Sequence, residues 1–163
     1  MDLTQDIAKL AEQERSLVFP AFDNATAWML GTSLRALAEA RGVAVTIEIQ
    51  LVRETVFFCA MPGTGPANAD WARRKRNSVN LLQRSSYAIG LELQRDATTL
   101  EQKLGLSLRD HAFAGGCFPL RVAGVGCVGT VTVSGLPQRD DHNLVVEVIA
   151  PLCGVPLSEV ALG

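Results

Sequence analysis

Residues 115–142 constrain the fold of this chain more than any other segment. Two apolar stretches within them predict a β-hairpin, and a glycine turn leads from its second strand into a helix predicted to begin near Asp140 or Asp141. The first turn of that helix carries two carboxylates and, at His142, an imidazole. Free backbone N–H groups collect where a strand runs into a helix N-terminus, so small anionic ligands tend to bind there. We therefore predict that function lies at this junction.

The order of the predicted elements favours an α+β domain. Strands are predicted at residues 17–19, 43–51, 55–61, 117–122 and 127–134, and helices at 3–15, 24–41, 68–92, 98–104 and from about 140. The helix over 68–92 has a candidate interruption at Gly90, and the helix at 98–104 has a candidate capping box that starts at Thr98. Strand pairs separated by helices indicate an antiparallel sheet with helices packed on it. Residues 55–61 are apolar on both faces and are predicted to form a central strand.

The chain length and charge limit the classes of protein to consider. Its 163 residues are enough for one domain, predicted to span 1–163 with residues 1–16 as an N-terminal helical arm. A net charge of −2 gives no general attraction to nucleic acid, and the basic cluster at 73–76 is small and lacks interleaved aromatic residues. No apolar run is long enough for a membrane span, and the acidic N-terminus has no signal-peptide core, so we expect a cytoplasmic location. The four cysteines show no metal-ligand spacing.

The acidic start of the last predicted helix has two interpretations. In the first, an aspartate caps the helix and His142 is a polar surface residue. In the second, Asp141 is a hydrogen-bond anchor, and His142 is a ligand contact, a proton carrier or an axial metal ligand. Ser134 and Gly135 directly upstream favour the second interpretation, since glycine lets a ligand approach the backbone closely. The residue types alone leave both open.

Two further segments contain candidate site residues. Phe118, after a Gly-Gly pair, is either a core residue or a flat apolar pocket wall. On the long predicted helix, Trp71 and Lys75 share one stripe, while the neighbouring stripe is basic and is expected to face solvent. The position of Lys75 beside Trp71 points it partly inward, where it could pair with a carboxylate of the protein or of a ligand.

Several motifs together indicate a family resemblance. They are Trp71-Ala72-Arg73-Arg74-Lys75-Arg76, Ser85-Ser86, Gly115-Gly116-Cys117-Phe118-Pro119 and Ser134-Gly135-Leu136-Pro137-Gln138 followed by Asp141-His142. The combination resembles the haem-degrading-like (GlcG/HbpS-like) domain family, and in particular its uncharacterised branch in bacteria and yeasts. The resemblance implies a profilin-like fold with a five-stranded antiparallel sheet between helical layers. It also implies assembly into dimers and larger rings or shells.

The leading functional hypothesis is an oligomeric cytoplasmic protein that binds a small ligand. The residues predicted to form its pocket are Trp71, Lys75, Phe118, Ser134, Gly135, Asp141 and His142. One alternative is an oligomeric adaptor or scaffold for protein partners, in which the basic helix and the N-terminal arm matter more than any pocket. Another is an enzyme that degrades haem or modifies a small acid, with Asp141 and His142 in proton transfer. Whether the chain is an enzyme therefore stays open.

The resemblance names haem as the candidate ligand and the candidate cofactor. The flat ring of haem would lie against Phe118 or Trp71, and its propionates would suit Lys75 or Arg74. Of the two histidines in the chain, His142 is the candidate axial ligand. No other metal site is expected.

Overall fold

The computed structural model describes residues 2–163, which form seven helices and five strands. The helices are α1 (Leu3–Ser16), α2 (Asn24–Ala40), α3 (Pro66–Leu82), α4 (Ser86–Arg95), α5 (Leu100–Leu104), α6 (Gln138–Leu152) and α7 (Leu157–Val160). The strands are β1 (Val18–Phe19), β2 (Thr46–Leu51), β3 (Glu54–Ala60), β4 (Cys117–Val122) and β5 (Gly126–Ser134). The predicted α+β class with five strands is confirmed.

The five strands form one mixed sheet in the order β1-β4-β5-β2-β3. The expectation of a purely antiparallel sheet is wrong, because β1 pairs with β4 in parallel through Val18 and Phe19. All other neighbouring strands are antiparallel. The two antiparallel hairpins, β2–β3 and β4–β5, are each closed by a short turn, which fixes their direction. No short turn joins β1 to β4, so their relative direction is free of that constraint.

Strand β3 lies at an edge of the sheet, so the prediction of a central strand is wrong. It pairs only with β2 within residues 2–163. Phe57 points towards α2, where its ring lies 5.8 Å from that of Trp28. Phe58 points to the other face and stays 51% exposed. The apolar residues on both faces of β3 therefore reflect one buried face and one uncovered face.

The two faces of the sheet have different chemistry. One face is apolar and packs against α2 and α6 in a continuous core that includes Ile47, Val131, Leu34 and Ile149. The opposite face is polar, although most of it is covered by α3. Its buried polar residues on β2 and β5 are Thr46, Glu48, Thr130, Thr132 and Ser134. This arrangement confirms helical layers on both sides of the sheet, and it leads to a polar site at the end of β5.

The helices differ from prediction at three boundaries. The long predicted helix breaks at Gln83, whose φ is 53°, rather than at Gly90, and Ser85 caps α4 by accepting from the Ala88 N–H at 3.2 Å. Helix α5 is capped by Thr99, one residue after the predicted cap. Helix α6 begins at Gln138, so both of its first-turn aspartates lie inside the helix and neither is its N-cap residue.

The N-terminal helix α1 packs against α4 and α7. Leu10 is fully buried in that contact. The Glu14 carboxylate accepts from the Ser85 N–H at 2.7 Å and from Arg84 at 2.6 Å. Within residues 2–163, no helix combines the length and apolar content needed to cross a bilayer.

Candidate functional site

A cavity of about 260 Å³ lies where β5 ends, between the first turns of α3 and α6. We call it the α3–α6 cavity. Its lining residues are Asn68, Trp71, Lys75, Ala114, Ser134, Gly135, Leu136, Gln138 and Asp141. It therefore combines five of the seven residues predicted to form a pocket, drawn from α3, the end of β5, the turn after it and α6.

A buried ion pair lies at the base of this cavity. The Lys75 Nζ is 3.0 Å from Asp141 Oδ2, and the two side chains are 3% and 2% exposed. Nζ also donates to the Val133 carbonyl oxygen at 3.1 Å. The carboxylate in turn accepts from the backbone N–H groups of Leu136 at 3.0 Å and Gly135 at 3.3 Å. The pair thus ties α3, the end of β5 and the first turn of α6 together.

The environment of the ion pair affects the protonation of its carboxyl group. Burial raises the pKa of Asp141 above its ordinary value, while the Lys75 ammonium and the Leu136 and Gly135 N–H groups oppose that rise. These donors occupy both oxygens of the carboxylate. Asp141 is therefore the hydrogen-bond anchor that the sequence predicts as one interpretation, and its partners belong to the protein itself.

The glycines before β4 let the chain pass close to the ion pair. Gly116 has a φ of +130°, and a Cβ there would overlap the Val133 carbonyl oxygen and crowd the Lys75 Nζ. At Gly115, a Cβ would overlap the carbonyl oxygen of Gln138. Only glycine lets the chain enter β4 at this distance from β5 and α6.

Trp71 forms a wall of the cavity. The residue is 41% exposed, and the Arg74 guanidinium carbon lies 4.4 Å from the ring centroid. Arg74 is itself held by the Leu108 carbonyl oxygen, to which its Nε donates at 3.0 Å. The stacked guanidinium covers part of the indole and fixes its orientation.

Phe118 and His142 lie in the interior, and neither is a lining residue of the α3–α6 cavity. Both are 1% exposed, and their ring centroids are 6.1 Å apart. The centroid of the Tyr87 ring lies 5.2 Å from that of the imidazole. The interpretation of His142 as a surface residue is therefore wrong. Direct contact of either ring with a ligand stays a prediction that requires the ring to be uncovered.

The hydrogen bonds of His142 define its tautomer. Gln13 Nε2 donates to the Val160 carbonyl oxygen at 2.7 Å, so Gln13 Oε1 is an acceptor. That oxygen lies 2.8 Å from His142 Nε2, which therefore carries the hydrogen. The Nδ1 atom is buried without a partner among residues 2–163. Burial, with the charge of Arg139 as a smaller cause, lowers the pKa of His142 to about 3.

The α3–α6 cavity holds no ligand for a haem iron among its lining side chains. None of the nine lining residues is a histidine, cysteine or methionine. Within residues 2–163, no group of three or more His, Cys, Asp and Glu residues is arranged to hold a metal ion. Burial raises the pKa of the Cys117 thiol to about 12, so Cys117 is not an activated nucleophile.

The predicted basic face of the long helix is largely engaged within the protein. Arg76 is bound by both oxygens of Glu48, at 2.7 and 2.8 Å, and its side chain is 16% exposed. Arg73 pairs with Asp70 and Asp110. The expectation of a solvated face is therefore wrong for Arg76. The inward position predicted for Lys75 is confirmed.

Sequence reasoning missed four lining residues, namely Asn68, Ala114, Leu136 and Gln138. Two of them carried a usable signal. Asn68 lies three residues after Gly65, the position from which a side chain caps the start of a helix. Gln138 lies inside the motif that begins at Ser134, and its side chain carries an amide, a polar group that Leu136 in the same motif lacks.

The fold and the site define a class of small α+β proteins in which a five-stranded sheet between helices ends at a polar cavity. The chain belongs to the family described as "Haem degrading protein HbpS-like", whose model matches residues 22–150. A UPF0303 protein of Azotobacter vinelandii is 56% identical over 162 residues, covering 99% of this chain and 98% of that protein.

Two solved structures share the fold at lower identity. The crystal structure of Ybr137w protein matches with a TM-score of 0.84 at 24% identity, over 91% of this chain and 87% of that one. The structure titled "Crystal Structure of PduOC:Heme Complex" matches with a TM-score of 0.66 at 18% identity, over 82% of this chain and 94% of that one. These likenesses support the fold assignment.

Proposed function

We propose that this protein is a small-ligand binding module and that the α3–α6 cavity is its binding site. The observation that carries the proposal is the combination of a half-exposed aromatic wall at Trp71 with a buried, hydrogen-bonded ion pair, Lys75–Asp141, at the base. Binding pockets are typically concave and mostly apolar, with a few fixed polar groups that orient the ligand. A rigid base needs no reorganisation when a ligand enters, which reduces the cost of binding.

Haem is the first ligand to test, because the family carries its name and one neighbour was solved as a haem complex. The cavity volume of about 260 Å³ is slightly below the range of roughly 300–1,000 Å³ that is typical of ligand pockets. A haem would therefore enter by one edge and lie partly outside. The donors at Lys75, Asn68 and Gln138 suit its propionates, and Trp71 suits its ring. The cavity lining fits these parts of haem and supplies no axial ligand to its iron.

The test is a titration with haem, followed by the Soret absorbance, on wild type and on two matched variants. Ala114→Phe places a large side chain in the α3–α6 cavity. Ala123→Phe makes the same change in the exposed β4–β5 turn, at the opposite end of that hairpin. We expect saturable binding by wild type and Ala123→Phe, and at least tenfold weaker binding by Ala114→Phe. Equal binding by all three proteins, or none by wild type, would contradict the proposal.

We further propose that the protein forms a homo-oligomer in which β3 is a contact surface. The outer edge of this seven-residue strand has no strand partner within residues 2–163. It contains no proline or lysine, the residues that commonly protect sheet edges. Exposed Phe58, and Trp28 and Met29 on the adjacent α2, add apolar area beside it. An identical strand from a second copy, antiparallel and related by a twofold axis, would satisfy these backbone groups.

A further inference from the structure

We propose that the α3–α6 cavity recognises a carboxylate group carried on a flat ring. This inference rests on the proposed function and adds to it the chemical class of the ligand. The basis of the inference is a comparison of the polar atoms around the cavity that are already hydrogen-bonded with those that are not. The available side-chain groups can all donate a hydrogen bond, whereas the amide and carboxylate oxygens of the lining side chains are already bonded.

Two side-chain amides present their donors because their oxygens are already bonded. The Gly65 N–H donates to Asn68 Oδ1 at 3.0 Å, and the Gly115 N–H donates to Gln138 Oε1 at 3.3 Å. A backbone N–H bonds only an acceptor, so each amide has a defined orientation. Neither NH₂ group has a partner within residues 2–163. Both amides therefore offer N–H groups to a ligand in the cavity.

Two buried groups add to this set of donors. The Lys75 ammonium has three hydrogens, and the Val133 carbonyl and Asp141 accept two of them. The third hydrogen has no acceptor among residues 2–163, and Lys75 is a lining residue of the cavity. Ser134 is 3% exposed, and its hydroxyl has no hydrogen-bond partner among the described residues. Ser134 lines the cavity, and its hydroxyl can donate a hydrogen bond to a ligand oxygen there.

The electrostatics of the surrounding elements favour a negative ligand group. The first turns of α3 and α6 both border the cavity, at Asn68 and Gln138, and helix N-termini attract anions. Two of the nearby carboxylates are already paired, Asp141 with Lys75 and Asp70 with Arg73 at 3.0 Å. Asp140, in the first turn of α6, is exposed, so solvent screens its charge. A ligand that offered only donors would meet few unbonded acceptors here.

The aromatic wall indicates the rest of the ligand. The Trp71 ring is held by Arg74 and lines the cavity beside the donors. An oriented indole binds a flat conjugated ring through stacking, with little loss of side-chain freedom. A carboxylate joined directly to such a ring, or by a short arm, would reach the donors. The propionates of haem and the acid group of a small aromatic acid share this chemistry.

The experiment compares acids with their neutral counterparts by isothermal titration calorimetry. One arm uses 2-naphthoate and 2-naphthamide, and the other uses haem and haem dimethyl ester. The variants Asn68→Asp and Gln138→Glu keep the oxygen that accepts from the backbone but replace the NH₂ donor with a negative oxygen. Asn80→Asp makes the same change on an exposed position of α3 away from the cavity.

For each acid that binds, we expect an affinity at least tenfold higher than that of its neutral counterpart. This difference should be found both in wild type and in Asn80→Asp. We also expect Asn68→Asp and Gln138→Glu to weaken that binding at least tenfold. Binding of 2-naphthoate identifies small aromatic acids as a source of the carboxylate, and binding of haem alone identifies the propionates.

Haem and its dimethyl ester could also bind equally tightly, with both affinities lowered by Ala114→Phe. That result would overturn the carboxylate inference and leave the proposed function in place. Absence of binding by all four compounds would overturn both. Circular dichroism of each variant separates lost binding from lost folding.

Discussion

At the scale of single residues, Lys75 links the stability of the chain to its candidate site. Its ammonium is 3% exposed and lies between the end of β5 and the first turn of α6. The residue whose ammonium closes this junction also lines the cavity. A change at Lys75 therefore alters folding and binding together, which makes the Asn68 and Gln138 variants better tests of binding.

The buried ion pair predicts a large loss of stability when one partner is removed. Lys75→Met leaves the Asp141 carboxylate buried without its counter-ion, which should lower the free energy of unfolding by about 3–5 kcal/mol. Lys75→Met combined with Asp141→Leu should recover part of that loss, because no unpaired charge remains. Urea unfolding at neutral pH measures both values. A loss below about 1 kcal/mol in the single variant would contradict the account of the pair.

His142 predicts a specific loss of stability in acid. Its pKa is about 3 in the folded protein, against 6.5 when unfolded, so the unfolded chain binds more protons between these values. Stability should therefore fall as the pH is lowered from about 6.5 to about 3, by up to roughly 1.4 kcal/mol per pH unit from this residue. Gln13, Tyr87 and Phe118 lie beside the imidazole, and the charge of Arg139 acts on it.

The check is urea unfolding at several pH values between 4 and 7. His142→Gln should reduce the dependence of stability on pH, because glutamine does not titrate. His111→Gln is the control, since His111 lies in a loop and is only partly buried. An unchanged acid dependence in His142→Gln would show that the buried imidazole is not its cause.

At the scale of elements, the close approach of β4 to β5 depends on Gly116. Both Gly116 and Gly124 have positive φ, at 130° and 74°, but only at Gly116 would a Cβ meet other atoms. Gly116→Ala should therefore be about 1–3 kcal/mol more destabilising than Gly124→Ala, since overpacking adds to backbone strain. Thermal and urea unfolding of the two variants measure the difference. Similar losses in both would mean that β4 can shift to accommodate a side chain.

The sequence predicts most elements, because their signals are local. The β4–β5 hairpin alternates clearly, and Asp23 caps α2 as its position before an apolar helix indicates. The edge position of β3 could not be predicted from the sequence. A strand with apolar residues on both faces has the same sequence pattern whether its second face is covered or exposed. The break at Gln83 was missed for a related reason. It depends on Ser85 and on its bond to Glu14, 71 residues away.

The candidate site is predictable only in part, because some of its features depend on contacts between residues far apart in the sequence. Trp71 and Lys75 share a helical stripe, and Ser134 to Asp141 form one compact motif, so their shared cavity follows from local spacing. The interior position of His142 depends on Gln13, 129 residues away in α1, which no local pattern indicates. The internal pairing of Arg76 depends in the same way on Glu48 in β2.

At the scale of the whole molecule, the open edge of β3 predicts self-association. Light scattering coupled to size-exclusion chromatography should give the wild type a mass of two or more chains, where one chain is 17.5 kDa. Phe58→Lys should shift the mass towards that of the single chain, because a charge at the edge blocks strand pairing. Leu104→Lys, a similar change at an exposed position of α5, should leave the assembly intact. A wild type of 17.5 kDa would contradict the proposed homo-oligomer.

The measurement that tests the central claim most directly is hydrogen–deuterium exchange of the protein with and without saturating haem, read by mass spectrometry. Binding at the α3–α6 cavity predicts slower exchange in peptides that cover residues 65–75 and 133–141, with little change at the β4–β5 turn. Ala114→Phe should remove that protection. Protection confined to other elements, or absent from these two segments, would contradict the claim that this cavity is the binding site.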